Sequence, residues 1–215
     1  MILLTRPGEP EVLAESREKW LAKYLEKRAS SPRLRPPGAQ YAHATIVRVL
    51  EGMSFKKCFY CEAKPDKRTV DHYIEVAESP ELAFSWSNLY LACQDCQGKQ
   101  PNKDNPASDC LDPCDASFLP GDHLTFTAEQ ITAKSGSNRG YNTIQKYRLD
   151  EDRLDFKRLK RLKKFYEARD EVRVAMIADG RNVMSAFELE TLRRFRERDQ
   201  PYSLMFDVYL SKMGL

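Results

Sequence analysis

The sequence predicts an α+β fold: a small ββα unit held between two cysteine pairs and embedded in a mostly helical chain. Three observations predict it. Cys58/Cys61 and Cys93/Cys96 form two CxxC pairs that bracket one segment. That segment contains two short strand-like stretches, near Val70 to Val76 and near Tyr90 to Ala92, followed by a helix starting near Gln94. Outside it, apolar residues recur at the three-to-four spacing of helices.

The elements follow in order. Glu9 to Arg28 reads as a helix, with Trp20, Leu21, Tyr24 and Leu25 at helical spacing. SSPRLRPPG, from Ser30 to Gly38, ends it, because its prolines and glycine cannot continue a helix. A second helix is predicted over Ala39 to Gly52, with Ala44, Val47 and Leu50 or Val49 facing inward. Pro101 to Pro120 reads as an ordered loop, and HLTFTAEQITA as a hairpin turning near Ala128 and Glu129. RGYNTIQKY reads as a short helix. Glu151 to Asp179 reads as a long one, with Leu154, Leu159, Leu162, Tyr166, Val172 and Met176 along one side. Ser185 is a suitable N-cap for the next helix, with Glu188 completing a capping box. In the last helix, after Pro201, Leu204, Phe206, Val208, Tyr209 and Leu210 are expected to close the core rather than dock on a partner. The chain thus divides into N-terminal helices (1–54), the cysteine-bracketed core (55–104), and a loop, hairpin and C-terminal helical region (105–215) suited to partner or nucleic-acid contacts.

Of the 215 residues, 41% are apolar and 31% charged, which fits a folded soluble protein and excludes a mostly disordered one. No apolar run approaches the ~20 residues of a membrane span. The apolar start MILL is too short for a signal peptide, which predicts a cytoplasmic protein with no membrane association. The net charge of +3 says little, but Arg153 to Lys164 carries seven basic residues and one acidic one. That run reads as a solvated helix face, or as a phosphate-contacting surface if the chain handles nucleic acid.

Six cysteines in a reducing compartment are poor candidates for disulfides. Two CxxC pairs present four thiolates from two tight knuckles, the donor set of a tetrahedral zinc ion. The 31 residues between Cys61 and Cys93 exceed the ~15–20 of a compact zinc ribbon, so something is inserted between the knuckles. Buried free thiols or a redox dithiol are the alternatives, although one CxxC would suffice for redox chemistry. Cys110 and Cys114 have no matching second pair and stay unassigned.

Asp71 and His72 are adjacent on the first predicted strand; Asn88 follows 16 residues after His72, and Gln97 nine residues after Asn88. This order, with N-L-x-x-x-C-x-x-C over Asn88 to Cys96, resembles the zinc-containing branch of the HNH (ββα-metal) nuclease motif. The resemblance implies a ββα-metal core with structural zinc on Cys58, Cys61, Cys93 and Cys96. Phosphodiester hydrolysis needs a deprotonated nucleophile and neutralisation of the charge that builds on the phosphate. His72, as a neutral imidazole, is the candidate base. Asp71 and Gln97 would hold a catalytic Mg²⁺ or Mn²⁺, and Asn88 would bond loop backbone and orient His72. His43 and His123 have no comparable surroundings.

More widely, KKCFYCE, the DH pair, WSNLYLACQDCQGK, LDPCD and GYNTIQKYRLD resemble the PtuB family, the HNH subunits of Septu-type anti-phage systems, whose relatives include retron HNH effectors. The likeness runs from about Lys56 to Leu162. It implies a nuclease subunit cutting DNA, with RNA not excluded, beside an ATPase of the PtuA type, and in retron systems a reverse transcriptase and its DNA. Lys99, Lys103, Lys157, Arg158, Lys160, Arg161, Lys163 and Lys164 are the candidate nucleic-acid contacts. Two departures stand out. Gln97 replaces the usual Asn or His, and Glu75 replaces a common Pro, as an extra metal ligand or a solvent-facing carboxylate. A non-catalytic zinc module that binds nucleic acid or bridges partners remains the alternative function.

Overall fold

The computed structural model describes residues 1–117 and 119–215; Phe118, in the predicted loop from Pro101 to Pro120, lies outside the described residues. The first helix, α1 (Glu11–Ser30), buries Leu13 and Tyr24 and half-buries Trp20, Leu21 and Leu25. Where one helix was predicted over Ala39 to Gly52, two form: α2 (Gly38–Tyr41) and α3 (Ala44–Met53). His43 divides them, its ring nitrogen accepting a bond from the backbone N–H of Thr45 as the N-cap of α3. The new phase turns Ile46 and Leu50 inward and leaves Ala44 exposed, contrary to expectation.

The strands β1 (Arg68–His72) and β2 (Leu89–Cys93) pair antiparallel, with Asp71 opposite Tyr90 and His72 opposite Leu89. β2 is buried throughout, and α4 (Gln94–Gln97) begins at its end. A second sheet follows α5 (Pro120–His123): β3 (Leu124–Thr127) and β4 (Gln130–Ala133) form the expected hairpin, with Ala128 at φ 51° in its turn. The helix α6 (Asn138–Tyr147) crosses this hairpin so closely that a Cβ on Gly140 would lie 2.5 Å from the carbonyl oxygen of His123. Only glycine fits there.

The long helix α7 (Asp152–Ala178) buries Leu154, Arg158, Leu162, Phe165 and Val172. Leu159, expected inside, is 44% exposed, and its place on the inward stripe goes to Arg158 and Phe165. α8 (Ala186–Arg193) starts at the Ser185/Glu188 capping box. In α9 (Ser203–Lys212), Leu204, Met205, Phe206 and Leu210 are buried, and Phe206 and Phe195 pack on Phe165 with ring centroids 5.5 and 5.3 Å away. The C-terminal helix therefore closes the core. Buried side chains from residues 1–54, 55–104 and 105–215 form a single cluster. Among the described residues no helix is long and apolar enough to cross a membrane.

Candidate active site and zinc centre

Antiparallel pairing sets Arg68 opposite Cys93 and so brings the knuckle before β1 against the end of β2. Two backbone bonds hold it, Phe59 N–H to Leu91 O at 2.9 Å and Cys58 N–H to Ala63 O at 2.8 Å. The thiols of Cys58, Cys61, Cys93 and Cys96 are all buried and lie within 4.8 Å of one another, with Cys61 and Cys93 3.7 Å apart. A tetrahedron with ~2.3 Å metal–sulfur bonds has edges of roughly 3.8 Å, so the cluster fits zinc. Hydrogen bonds from Cys58, Cys61 and Cys96 push the Cys93 pKa far down. The cluster's shared bonds and burial push Cys61 and Cys96 up. Cys110 and Cys114 stand outside it, among the described residues. Cys110 contacts Asn105 Oδ1, Cys114 accepts a bond from Arg6, and burial pushes each pKa up to about 11.

One knuckle is tied to the far end of the chain. Glu62, in the left-handed region at φ 63°, accepts bonds from Lys57 Nζ at 2.9 Å, Ser203 Oγ at 2.6 Å and the Met1 amine at 2.9 Å. Burial alone would raise its pKa. The two ammonium groups and the hydroxyl outweigh that and hold the carboxyl far below its ordinary value.

β1 ends at His72, and the backbone bends immediately afterwards, so that Asp71 and His72 both line one cavity of about 730 Å³ with Glu75, Gln97 and Lys99. His72 Nε2 lies 2.9 Å from the carbonyl oxygen of Ala83. A carbonyl only accepts, so Nε2 carries the proton of the neutral ring and Nδ1 keeps its lone pair. The Tyr41 ring packs against the imidazole at 4.7 Å. Burial lowers the His72 pKa below its ordinary value, and the nearby Lys99 charge adds to this, against the opposing effects of the Ala83 carbonyl and Asp71.

Asn88, 4% exposed, accepts a bond from the N–H of Ile74 at 2.7 Å and donates to the carbonyls of Ile74 at 3.0 Å and Leu82 at 3.2 Å. It thereby closes the loop whose next residue, Ala83, holds His72. Asp71 Oδ2 accepts from Tyr60 at 2.9 Å and from the Lys99 ammonium at 2.7 Å, and Lys99 also donates to the His72 carbonyl oxygen. Lys99, expected as a nucleic-acid contact, is instead turned inward, its side chain only 6% exposed. Gln97 stands exposed at the same cavity. Glu75 is not solvent-facing: it pairs at 3.3 Å with the fully buried Lys146, and its other oxygen is buried with no partner among the described residues. Sequence reasoning missed Tyr60, Tyr41, Lys146 and the Ala83 carbonyl. The first three looked like ordinary core or surface residues, and a carbonyl carries no side-chain signal.

The basic run on α7 is divided between the fold and its surface. Arg158 is buried and donates to the carbonyls of Glu129 and Leu149, each at 2.6 Å. Arg161 donates to Gln200 at 2.8 Å and lies over the Phe195 ring, while Lys157 pairs with Asp95 between the second pair of cysteines. Lys160 lies over Phe156, and Lys163 and Lys164 are exposed, as is Lys103 on its loop. Arg158 and Arg161 are thus held within the fold, which corrects the expectation for those two, while Lys157 stays exposed beside its Asp95 partner.

Residues 58–103 match the family model for HNH endonucleases, so the segment carrying both knuckles, Asp71, His72 and Asn88 is an HNH domain. The chain is also similar to two curated proteins. It is 26% identical over 164 residues to the Septu protein PtuB of Bacillus thuringiensis, covering 74% of this chain and 59% of that protein. It is likewise 26% identical over 235 residues to the Septu protein PtuB of Bacillus mycoides (strain KBAB4), covering 92% and 76%. The chain thus spans just under three fifths of the length of the first relative.

Proposed function

We propose that this chain is a metal-dependent HNH endonuclease acting on nucleic-acid phosphodiesters, DNA foremost, as the nuclease subunit of an anti-phage defence system with an ATPase partner. One observation carries the chemistry. His72 is held through Nε2 by the Ala83 carbonyl, kept neutral by burial, and set in the same cavity as the Asp71 carboxylate. Nδ1 accepts a proton from the attacking water, and the Ala83 carbonyl stabilises the imidazolium that forms. Asn88 keeps that carbonyl in place. Asp71, the His72 carbonyl oxygen and Gln97 offer hard oxygen donors, and the Lys99 ammonium seated on the first two supports this as a place for positive charge. A bound Mg²⁺ or Mn²⁺ would supply charge neutralisation on the phosphate and the leaving oxygen.

The defence role and the ATPase rest on the similarity to the Septu proteins. A partner surface is supported by the exposed apolar side chains Val174, Ile177, Val183 and Phe187, which are 61–81% exposed at the junction of α7 and α8. The second reading is a zinc-bearing binding module without catalysis. It is favoured by the Lys99–Asp71 pair, which neutralises the carboxylate the cation would use. Plasmid DNA incubated with the chain, with and without the ATPase, in Mg²⁺ or Mn²⁺, separates the two. Cleavage that falls ~10²–10⁴-fold in His72→Ala supports the nuclease. Binding without cleavage of DNA or RNA in any combination, with zinc retained, supports the module.

A further inference from the structure

We infer that the proline-rich segment between α1 and α2 is the outer wall of the substrate cleft, and that Arg33 and Arg35 on it grip the nucleic-acid backbone. The inference deepens the nuclease reading and rests on it. The cavity that His72 and Asp71 line is also lined by Arg28, Arg33, Arg35 and Tyr41. These residues lie outside the segment that matches the HNH family model, residues 58–103.

The wall is built to be stiff. Ser31 to Leu34 forms a turn closed by Leu34 N–H to Ser31 O at 2.8 Å, with Pro32 at the position where its fixed φ suits a turn. The carbonyl of Leu34 is then held by Arg28 Nη1 at 2.9 Å and by the Tyr24 hydroxyl at 3.1 Å. Arg28 also reaches Ala77 O at 3.0 Å, in the loop after β1, so a single guanidinium pins wall to floor. Pro36, which is buried, and Pro37 complete the segment. Arg33 and Arg35 flank the clamped Leu34. Both are exposed, and among the described residues neither guanidinium has a carboxylate partner.

Several of the other candidate contacts are already engaged. Lys99 is seated on Asp71, and Lys157, Arg158 and Arg161 on α7 are bonded within the fold. Two guanidiniums without carboxylate partners among the described residues, on a stiff segment lining the same cavity as the candidate base, suit phosphates on either side of the scissile one. A planar fork binds a phosphate at two oxygens, and a preordered loop loses little entropy in doing so.

The test measures binding apart from cleavage. Fluorescence anisotropy follows a labelled DNA duplex, single-stranded DNA and RNA of one sequence on the full-length His72→Ala chain across a salt series. Arg33→Ala/Arg35→Ala should weaken binding of the preferred strand at least tenfold. It should also lower the slope of log K against log salt by about 1.8 for a duplex, two contacts at ~0.9 each. Arg33→Lys/Arg35→Lys should restore most of the slope, and Lys160→Ala/Lys164→Ala, the competing pair on α7, should change both quantities less than the wall pair does. Unchanged affinity and slope in the double alanine variant, with zinc content and melting temperature intact, would overturn the inference. So would a chain that binds none of the three strands, or an effect confined to the α7 pair. A chain that cuts nothing yet binds through Arg33 and Arg35 keeps this inference and loses the nuclease reading.

Discussion

Replacing Asn88 by alanine removes three hydrogen bonds at once, to Ile74 N–H, Ile74 O and Leu82 O. Each is worth about 1 kcal/mol net, so the loss should be about 3 kcal/mol, and more if the orphaned backbone groups stay dry. For a chain of this length that corresponds to roughly 6–12 °C in melting temperature. The damage should spread along the chain. Leu82 precedes Ala83, whose carbonyl fixes the His72 tautomer, so the cleavage rate should fall at least ~10²-fold. Asn88→Asp is the informative companion. It keeps the acceptor for Ile74 N–H but sets a carboxylate against two carbonyl oxygens, so despite its shape it should be no more stable than the alanine variant. Calorimetry on zinc-loaded protein, beside initial cleavage rates, reads both effects. An Asn88→Ala chain that melts like the wild type yet does not cut would refute the reasoning, because Asn88 would then act on substrate and not as a brace.

Burial places the His72 pKa below 6.5, so the ring remains neutral as pH falls to that value, and the acid limb of the cleavage profile should lie below it; a limb above pH 6.5 contradicts the assignment. Cys58→Ser or Cys96→Ser should lower zinc content, melting temperature and activity together, measured by metal analysis and thermal melts, since the knuckles hold both β1 and α4. Lys99→Met leaves Asp71 without its ionic partner and should cost about 3–5 kcal/mol in zinc-loaded protein free of Mg²⁺ and Mn²⁺. Mn²⁺ should then raise the melting temperature of that variant more than that of the wild type; equal shifts would show that ammonium and metal do not share a seat.

The HNH core was legible because its signals are local and categorical. Two CxxC pairs, a DH and an Asn sit at set spacings, with short strand-like stretches between the knuckles. Helices α1, α7 and α9 were legible from periodicity, and α8 from its capping box. What the sequence hid depends on phase or on distant partners. Placing Leu159 outside and Arg158 inside required the rotation of α7 against the hairpin, and the carbonyls of Glu129 and Leu149 that receive Arg158 are supplied by tertiary structure alone. Lys99 looked like a surface lysine because Asp71, 28 residues earlier, meets it only after β1 and β2 pair. SSPRLRPPG registered as a helix breaker, and nothing in its composition places it opposite His72.

The Glu62 carboxylate joins residues made at very different times. Its strained backbone and buried charge are stabilised by Lys57 five residues away, but also by Ser203, 141 residues further on. A nascent chain that has not yet reached Ser203 carries the full set of knuckle cysteines without the group that seats the knuckle. Final tightening of the zinc site, and of the strand bearing His72, thus waits for a late stage of synthesis. A chain truncated before residue 200 should take up zinc more weakly than the whole, and equal affinity in a competition titration would show that the knuckle settles alone.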